Sequence, residues 1–399
     1  MNYFIKNIHI NKLFHLENID IPIANEKYPH LIITGKNGSG KTVLLNAIAD
    51  LLEQMKSEDN FLAMLHSRFH QGDYKYNIDN STDYKLKDSR IRCDIISPLY
   101  ILDRYQNGDF IMAFYQADRQ VRMIEPDSPQ KPILEDEGLV RETVSDQFIK
   151  FLVDLKFQEL LAISNKQKER EQSIKSWFEG FESLLKRIFL KEDLRLDFDQ
   201  EKKYSFKISF GEQKFGFNEM SDGFKAAINI VTDLILKMQH GGKLSEAYNK
   251  EGIALIDEIE THLHLELQRI IMSFLTKTFP NIQFIVTTHS PFVLNSIRNV
   301  VAFDLENRKS IEDLTDYSYS SLAEGYFGVR SESSSVRMRL DELKDLLSKD
   351  SLSSSEQMSI RLLVEDFDKI PEAVSPSIVG EYLQMRVKYA DKIKPILEL

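Results

Sequence analysis

Apolar and polar positions alternate along residues 3–10 and again along 16–23, the two-residue period of half-buried strands, with a turn near residues 11–14. The run "LIIT", 31–34, is continuously apolar and predicts a short strand buried on both faces. A helical pattern then begins at Lys41 and runs to about Met55. Residues 57–92 are mostly polar, contain His66 and His70, and read as an insertion, after which strand-like segments return at "RCDIISPLYILD" and "DFIMAFYQAD". The Pro- and acid-rich stretch 125–138 predicts a loop.

The period then changes to three and four. Ile174, Trp177, Phe178, Phe181, Leu184, Leu185 and Ile188 form one apolar face, and with "VSDQFIKFLVDLKFQELLAI" before it this predicts a helical hairpin between 145 and 190. Its polar run "NKQKEREQ" is the expected tip, either a solvated turn or a basic surface. Farther on, Phe224, Ile228, Val231, Ile235 and Met238 mark an amphipathic helix. Residues 253–256 are a continuous apolar run suited to a parallel strand buried on both faces, and 282–287 reads as another buried strand. "SVRMRLDELKDLLSK", "SEQMSIRLLVEDFDKI" and "IVGEYLQMRVKYADKIKPIL" continue with helical periodicity to the C-terminus.

Composition narrows the setting. A chain of 399 residues with net charge −11 suits one large or two smaller soluble domains, and argues against a protein that coats nucleic acid indiscriminately. The lone Cys93 excludes an intrachain disulfide framework, and no apolar run reaches the roughly 18–20 residues of a membrane span. A cytoplasmic protein without a membrane partner is the expectation.

The chemistry begins where the 31–34 strand ends. Gly35, Lys36, Asn37, Gly38, Ser39, Gly40, Lys41 and Thr42 spell G-x-x-x-x-G-K-[ST] between a strand and a helix, the context in which that spacing cradles phosphate. The glycines let backbone N–H groups approach phosphate oxygens, Lys41 should reach the β- and γ-phosphates, and Thr42 should offer its hydroxyl to Mg2+. The strand 253–256 ends in Asp257-Glu258, placing one carboxylate for the metal and one to polarise water. The strand 282–287 runs into Thr288-His289-Ser290-Pro291 and should lie beside it, bringing His289 to the same edge. Ser221, Asp222 and Gly223 open the amphipathic helix, as an ordinary N-cap or as a second anion site.

These four elements, in this order, resemble the ATP-binding-cassette (ABC) ATPase heads over about residues 1–305. Residues 35–42 match the Walker A loop, 220–224 the signature, 253–258 the Walker B strand with its catalytic Glu, and His289 the switch histidine. "FYQADRQ" falls where that family carries its Q-loop, so Gln116 is the candidate to sense Mg2+ and γ-phosphate, with Arg119 and Gln120 close by. The resemblance implies an α/β P-loop head with a mixed sheet, ATP and Mg2+ as cofactors, and a head-to-tail dimer, with higher oligomers open. In such a dimer the signature of one subunit closes on ATP held by the other.

Lys41 and Ser221 are 180 positions apart, more than a compact transporter cassette needs and far fewer than long coiled-coil arms require. "DEIETHLH" puts His264 where the family's D-loop usually has Asp, and with "TTHSPF" it looks like the RecF/OLD-like branch, which includes ATPases of Septu- and PARIS-type anti-phage modules. Glu365, Asp366 and Asp368 evoke the acids of a Toprim nuclease, yet only 31 residues follow Asp368, too few to complete that sheet. The expected organisation is head 1–144, hairpin 145–190, head 191–305 and helical tail 306–399, the tail docking a partner or another copy. The implied function is an ATPase whose nucleotide cycle regulates a separate effector, such as a nuclease, in phage defence. The alternative is a RecF/SMC-like repair ATPase holding DNA between paired heads, so nucleic acid remains an open partner.

Overall fold

The computed structural model describes residues 4–23, 29–56, 84–119, 121–134, 140–199, 204–239, 248–312, 314–327, 334–371 and 376–397. Two compact units divide the chain, Met1–Leu322 and Ala323–Leu399.

The first unit is built on a six-stranded sheet that needs strands from both halves of the chain. In chain order they are β3 (His30–Thr34), β6 (Phe110–Tyr115), β10 (Glu251–Ile256), β11 (Ile282–Thr287), β12 (Val300–Asp304) and β13 (Lys309–Glu312). Their spatial order is β13-β12-β3-β11-β10-β6, parallel except for β13, which pairs antiparallel with β12. Parallel neighbours require crossovers, and helix α1 (Lys41–Lys56) follows β3 while α6 (Leu265–Thr278) joins β10 to β11. β3, β6 and β11 are buried along their whole length, as strands covered on both faces require, with His30 and Gln283 among the buried positions.

A second sheet has the order β2-β1-β5-β4, from β1 (Ile5–Leu13), β2 (Leu16–Pro22), β4 (Tyr84–Lys87) and β5 (Ile91–Ile95). The first hairpin turns at Phe14–His15, slightly later than its sequence pattern predicts. Gln283, a fully buried amide in β11, joins the two sheets: its Oε1 accepts the N–H groups of Phe4 and Ile5 at 2.8 Å each, and its Nε2 donates to the carbonyls of Ile5 (2.9 Å) and Pro29 (3.0 Å). A buried amide satisfied on both ends avoids the penalty of an unpaired polar group and fixes one register.

Helices α3 (Phe148–Ser164) and α4 (Lys168–Phe189), preceded by one 3-10 turn at Ser145–Gln147, form a hairpin, turning at Asn165–Gln167. Phe148, Phe151, Trp177, Phe181 and Phe217 pack ring against ring at its base. A small sheet of β7 (Arg195–Asp199), β8 (Ser205–Phe210) and β9 (Gln213–Gly216) leads into α5 (Asp222–Met238). This helix is more deeply buried than one apolar face requires, with Asn229, Thr232 and Asp233 also inside.

The structure departs from the sequence expectation in several places. "PLYILD" is not strand but the start of helix α2 (Pro98–Gln106), since Pro98 supplies a helix-ready φ at the first position. Part of the expected insertion, 84–92, belongs to the second sheet, whereas His66 and His70 lie outside the described residues. The first unit extends past residue 305, because β13 completes the core sheet, and beyond the short α7 (Pro291–Leu294) it ends at Leu322 within α8 (Tyr319–Phe327).

The second unit is all helical: α9 (Ser334–Ser348), α10 (Ser354–Phe367), α11 (Pro376–Lys388) and α12 (Ala390–Leu397). They share a core that includes Leu343, Leu347, Ile360, Val364, Ile378 and Tyr382. The acids that evoked a nuclease are engaged here by basic side chains, Glu365 with Arg361 (3.4 Å), Asp366 with Arg339 (3.1 Å) and Asp368 with Arg386. Asp368 also accepts the Tyr382 hydroxyl at 2.6 Å. Among the described residues, no helix is long and apolar enough to cross a membrane.

His30, the first residue of β3, is buried and accepts the N–H of Phe284 at Nδ1 (3.2 Å), and burial pushes its pKa down to about 4. The unfolded chain, with an ordinary His pKa near 6.5, takes up this proton between about pH 6.5 and 4 while the folded chain does not. Stability should therefore be fully present above pH 6.5 and fall by up to about 3 kcal/mol from this residue alone as pH drops toward 4. Denaturant melts from pH 7.5 to 5 on the wild type and His30→Gln test this, the expected result being a shallower decline in the variant.

Candidate functional site

The loop 35–40 leaves β3 and enters α1 with Gly35, Gly38 and Gly40 all at positive φ, 139°, 81° and 97°. At Gly40 the backbone conformation calls for glycine, and an added Cβ would also press on Leu16 Cδ1 at 2.8 Å. Lys41 folds back under this loop, its side chain largely buried, and donates to the carbonyls of Gly35 and Lys36 at 3.0 Å each and to Ser39 Oγ at 3.4 Å. Burial pulls the Lys41 pKa down, while Glu258, Glu260, Asp257 and Asp304 act in the opposite direction. Thr42 is exposed at the start of α1, as are Lys36, Asn37 and Gly38 on the loop. Lys36 pairs with Glu306 at 2.8 Å.

Beyond the strand ends, β10 and β11 stay tied through one hydroxyl. Thr287 Oγ1 donates to Asp257 Oδ1 at 2.6 Å and accepts the N–H of Glu258 at 2.7 Å. Asp257 is buried and its N–H donates to the Tyr115 carbonyl at 2.8 Å, so it is held from both neighbouring strands. Glu258 takes a left-handed φ of 44°, which costs a non-glycine residue about 1–2 kcal/mol. That bend leaves its carboxylate partly exposed, accepting from Thr261 Oγ1 at 3.2 Å.

His289 follows β11 and is partly buried. Burial first, and then the Lys41 ammonium, pull its pKa below the ordinary value, against Glu258 and Asp257. Its imidazole is therefore neutral at pH 7 and retains both a donor and an acceptor. Glu260 accepts the His289 N–H and the Thr288 hydroxyl (2.7 Å), and burial raises its pKa. Lys41, Asp257, Glu258 and His289 thus gather at the carboxyl edge of β3, β11 and β10, near enough for their charges to influence one another.

Ser221 and Asp222 are exposed at the start of α5, and the Ser221 side chain makes no capping hydrogen bond. Gly223 is buried: a Cβ there would meet the His262 carbonyl at 2.5 Å, so its small size lets α5 touch the loop that follows Glu258. Gln116 has an exposed side chain just beyond β6, and its carbonyl accepts from Arg119 Nη1 at 2.8 Å. Gln120 lies outside the described residues.

Sequence reasoning missed Thr287, Glu260, Asn229 and Asp233. The two residues on α5 carried a signal, polar positions four apart in an otherwise apolar helix. A cavity of about 300 Å³ flanking the phosphate loop, lined in part by His15, Leu16, Leu305, Glu306 and Arg308, carried none, because it joins distant turns.

The residues fit ATP and Mg2+: glycine-lined N–H groups, a buried ammonium held by oxygens of the same loop, an exposed hydroxyl at Thr42 and a buried carboxylate at Asp257. Residues 141–295 match a family model described as "AAA domain, putative AbiEii toxin, Type IV TA system". That span includes Ser221, Asp257, Glu258 and His289 and leaves the phosphate loop outside it. The chain is 27% identical over 319 residues to the Septu protein PtuA of Bacillus mycoides (strain KBAB4), covering 77% of this chain and 41% of that protein. It is 40% identical over 105 residues to the "Retron Vc95 probable ATPase" of Vibrio cholerae serotype O1 biovar El Tor, covering 26% of this chain and 19% of that one. The chain therefore spans less than half the length of these curated relatives.

Among solved structures, an SMC head bound to the C-winged helix domain of ScpA matches 78% of this chain and 99% of its own at 14% identity and TM-score 0.41. The SMC head domain from Thermotoga maritima gives 14% identity, 78% and 97% coverage and TM-score 0.37. The strand order and the phosphate loop carry the fold, and the similarity to a Septu protein and a retron ATPase agrees with the resemblance to ATPases of anti-phage modules.

Gly223→Ala places a methyl group against a backbone carbonyl that cannot rotate away. It should destabilise the chain by roughly 1–3 kcal/mol in denaturant melts. Wild-type stability in this variant would show that α5 and the loop at His262 are not in close contact.

Proposed function

We propose that this chain is a Mg2+-dependent ATPase that closes head to tail on ATP and, by opening and closing, regulates a separate effector such as a nuclease in phage defence. The observation that carries the reading is the convergence of Lys41, Asp257, Glu258 and His289 on one sheet edge, while Ser221 stands exposed on a different element. One chain offers one phosphate loop and one such helix start, so two chains can complete two sites. The Septu relative supports the defence context.

In this mechanism the N–H groups of 35–40 and the Lys41 ammonium bind the β- and γ-phosphates. Thr42 and Asp257, with Gln116, would hold Mg2+, which offsets phosphate charge when bound. Glu258, bent out of the strand by its left-handed backbone, polarises the water that attacks the γ-phosphorus. His289, kept neutral, hydrogen-bonds that water or a γ-phosphate oxygen. Ser221 and the N–H groups at Asp222 and Gly223 complete the site of the facing copy.

Glu258→Gln should retain ATP binding and lose turnover by about 100-fold or more. Light scattering on this variant across a concentration series should show subunit number rising with Mg-ATP, and Ser221→Arg added to it should abolish the rise. A mass indifferent to ATP would sink the composite-site reading. Salt-sensitive DNA binding with ATPase stimulation, in the absence of any partner, would favour the repair-type alternative.

A further inference from the structure

We infer that Arg119 is a positioning residue that links helix α5, and with it Ser221, to the backbone carrying Asp257 and Glu258. The inference rests on the ATPase reading above and adds a residue to it that the phosphate loop, the strand-end acids and the histidine do not require.

Arg119 is 6% exposed, and its guanidinium is spent on three backbone carbonyls. Nη1 donates to Gln116 (2.8 Å) and Asp257 (2.6 Å), and Nη2 donates to Glu258 (2.7 Å). Burying this cation is costly even with the carboxylates of Glu260, Asp257 and Glu258 close enough to offset part of the cost, and simple packing would be met by an apolar residue of that size. The three carbonyls are not arbitrary. They belong to the residues proposed to contact Mg2+ and water, and Glu258 is one of the few described non-glycine residues at positive φ. Two adjacent carbonyls received by one planar fork fix the peptide that sets the direction of the Glu258 side chain.

The same residue is held from the other side. Its own carbonyl accepts Asn229 Nδ2 at 2.7 Å, and Asn229 is buried two turns after Ser221 on α5. One turn farther, Asp233 accepts the Tyr115 hydroxyl at 2.7 Å, and the Tyr115 carbonyl accepts the Asp257 N–H. Helix α5 is therefore fastened at Asn229 and Asp233, positions i and i+4 on one face, to the paired ends of β6 and β10. A displacement of the Ser221 end, as when it meets nucleotide on a facing copy, is transmitted through Asn229 and Arg119 to the Glu258 peptide. The reverse path tells α5 whether Glu258 is engaged.

Lysine keeps the charge but cannot span two carbonyls with a planar fork. In the full chain, Arg119→Lys should keep ATP affinity within about threefold of wild type, while turnover falls at least about tenfold; with Glu258→Gln it should also weaken ATP-dependent association. Asn229→Ala should lower turnover in the same direction, and the double variant should be no slower than Arg119→Lys alone, because both break one path. A residue that only supports the fold would lower melting temperature and nucleotide affinity together. Should Arg119→Lys fail to fold, Asn229→Ala decides: wild-type turnover in it overturns the coupling. Wild-type turnover in a folded Arg119→Lys, or effects that multiply in the double variant, also overturns the coupling while leaving the ATPase reading intact. A wild-type chain that binds no ATP and hydrolyses none overturns that reading, and the coupling with it.

Discussion

The hydroxyl of Thr287 is the smallest group on which the site depends. Parallel strands β10 and β11 end level with each other, but their ladder stops where the chemistry begins, and Thr287 continues it by donating to Asp257 and accepting from Glu258. Because it both donates and accepts, one atom fixes the carboxylate of one residue and the backbone of the next. With β11 lying between β3 and β10, the phosphate loop and the two acids are held on either side of the histidine-bearing strand. Their relative position is thus set by sheet pairing rather than by flexible loops.

The interior around this edge contains more polar side chains than an apolar core would need, and three of them join separate segments of the chain. Gln283 attaches the amino end of β1 to the core sheet, Asp233 receives Tyr115 and the N–H of Val144, and Arg119 gathers three carbonyls. Such groups are costly when unpaired, so they admit few alternative packings. They specify arrangement more than they add stability.

The two units divide structural labour differently. The first mixes parallel strand pairing with an aromatic-rich helical hairpin, whereas the second closes its own core from short helices and ties its acids to neighbouring arginines. The ion pairs that occupy Asp366 and Asp368 explain why a run of acids in sequence does not by itself make a metal centre.

How much of this was legible in the sequence follows from the range of the interactions involved. The phosphate loop, the acids ending β10, the hairpin and the helical tail were readable because each is encoded by neighbours: glycine spacing, an apolar run ending in acid, a three-and-four period. "PLYILD" misled because a short apolar stretch fits strand and helix alike, and Pro98 was the local clue. Arg119 and Gln116 were both seen beside β6, but which carbonyls the arginine would receive could not be read, since Asp257 and Glu258 lie 138 and 139 positions away. The same holds for Gln283, whose partners are up to 279 positions distant. Local patterns along the chain specify most of the elements and the residue types that stand at their ends. Only the tertiary structure decided which strand ends stand side by side and which buried polar groups bind them, because hydrogen-bond partners in a parallel sheet are chosen by crossover and register, not by proximity along the chain.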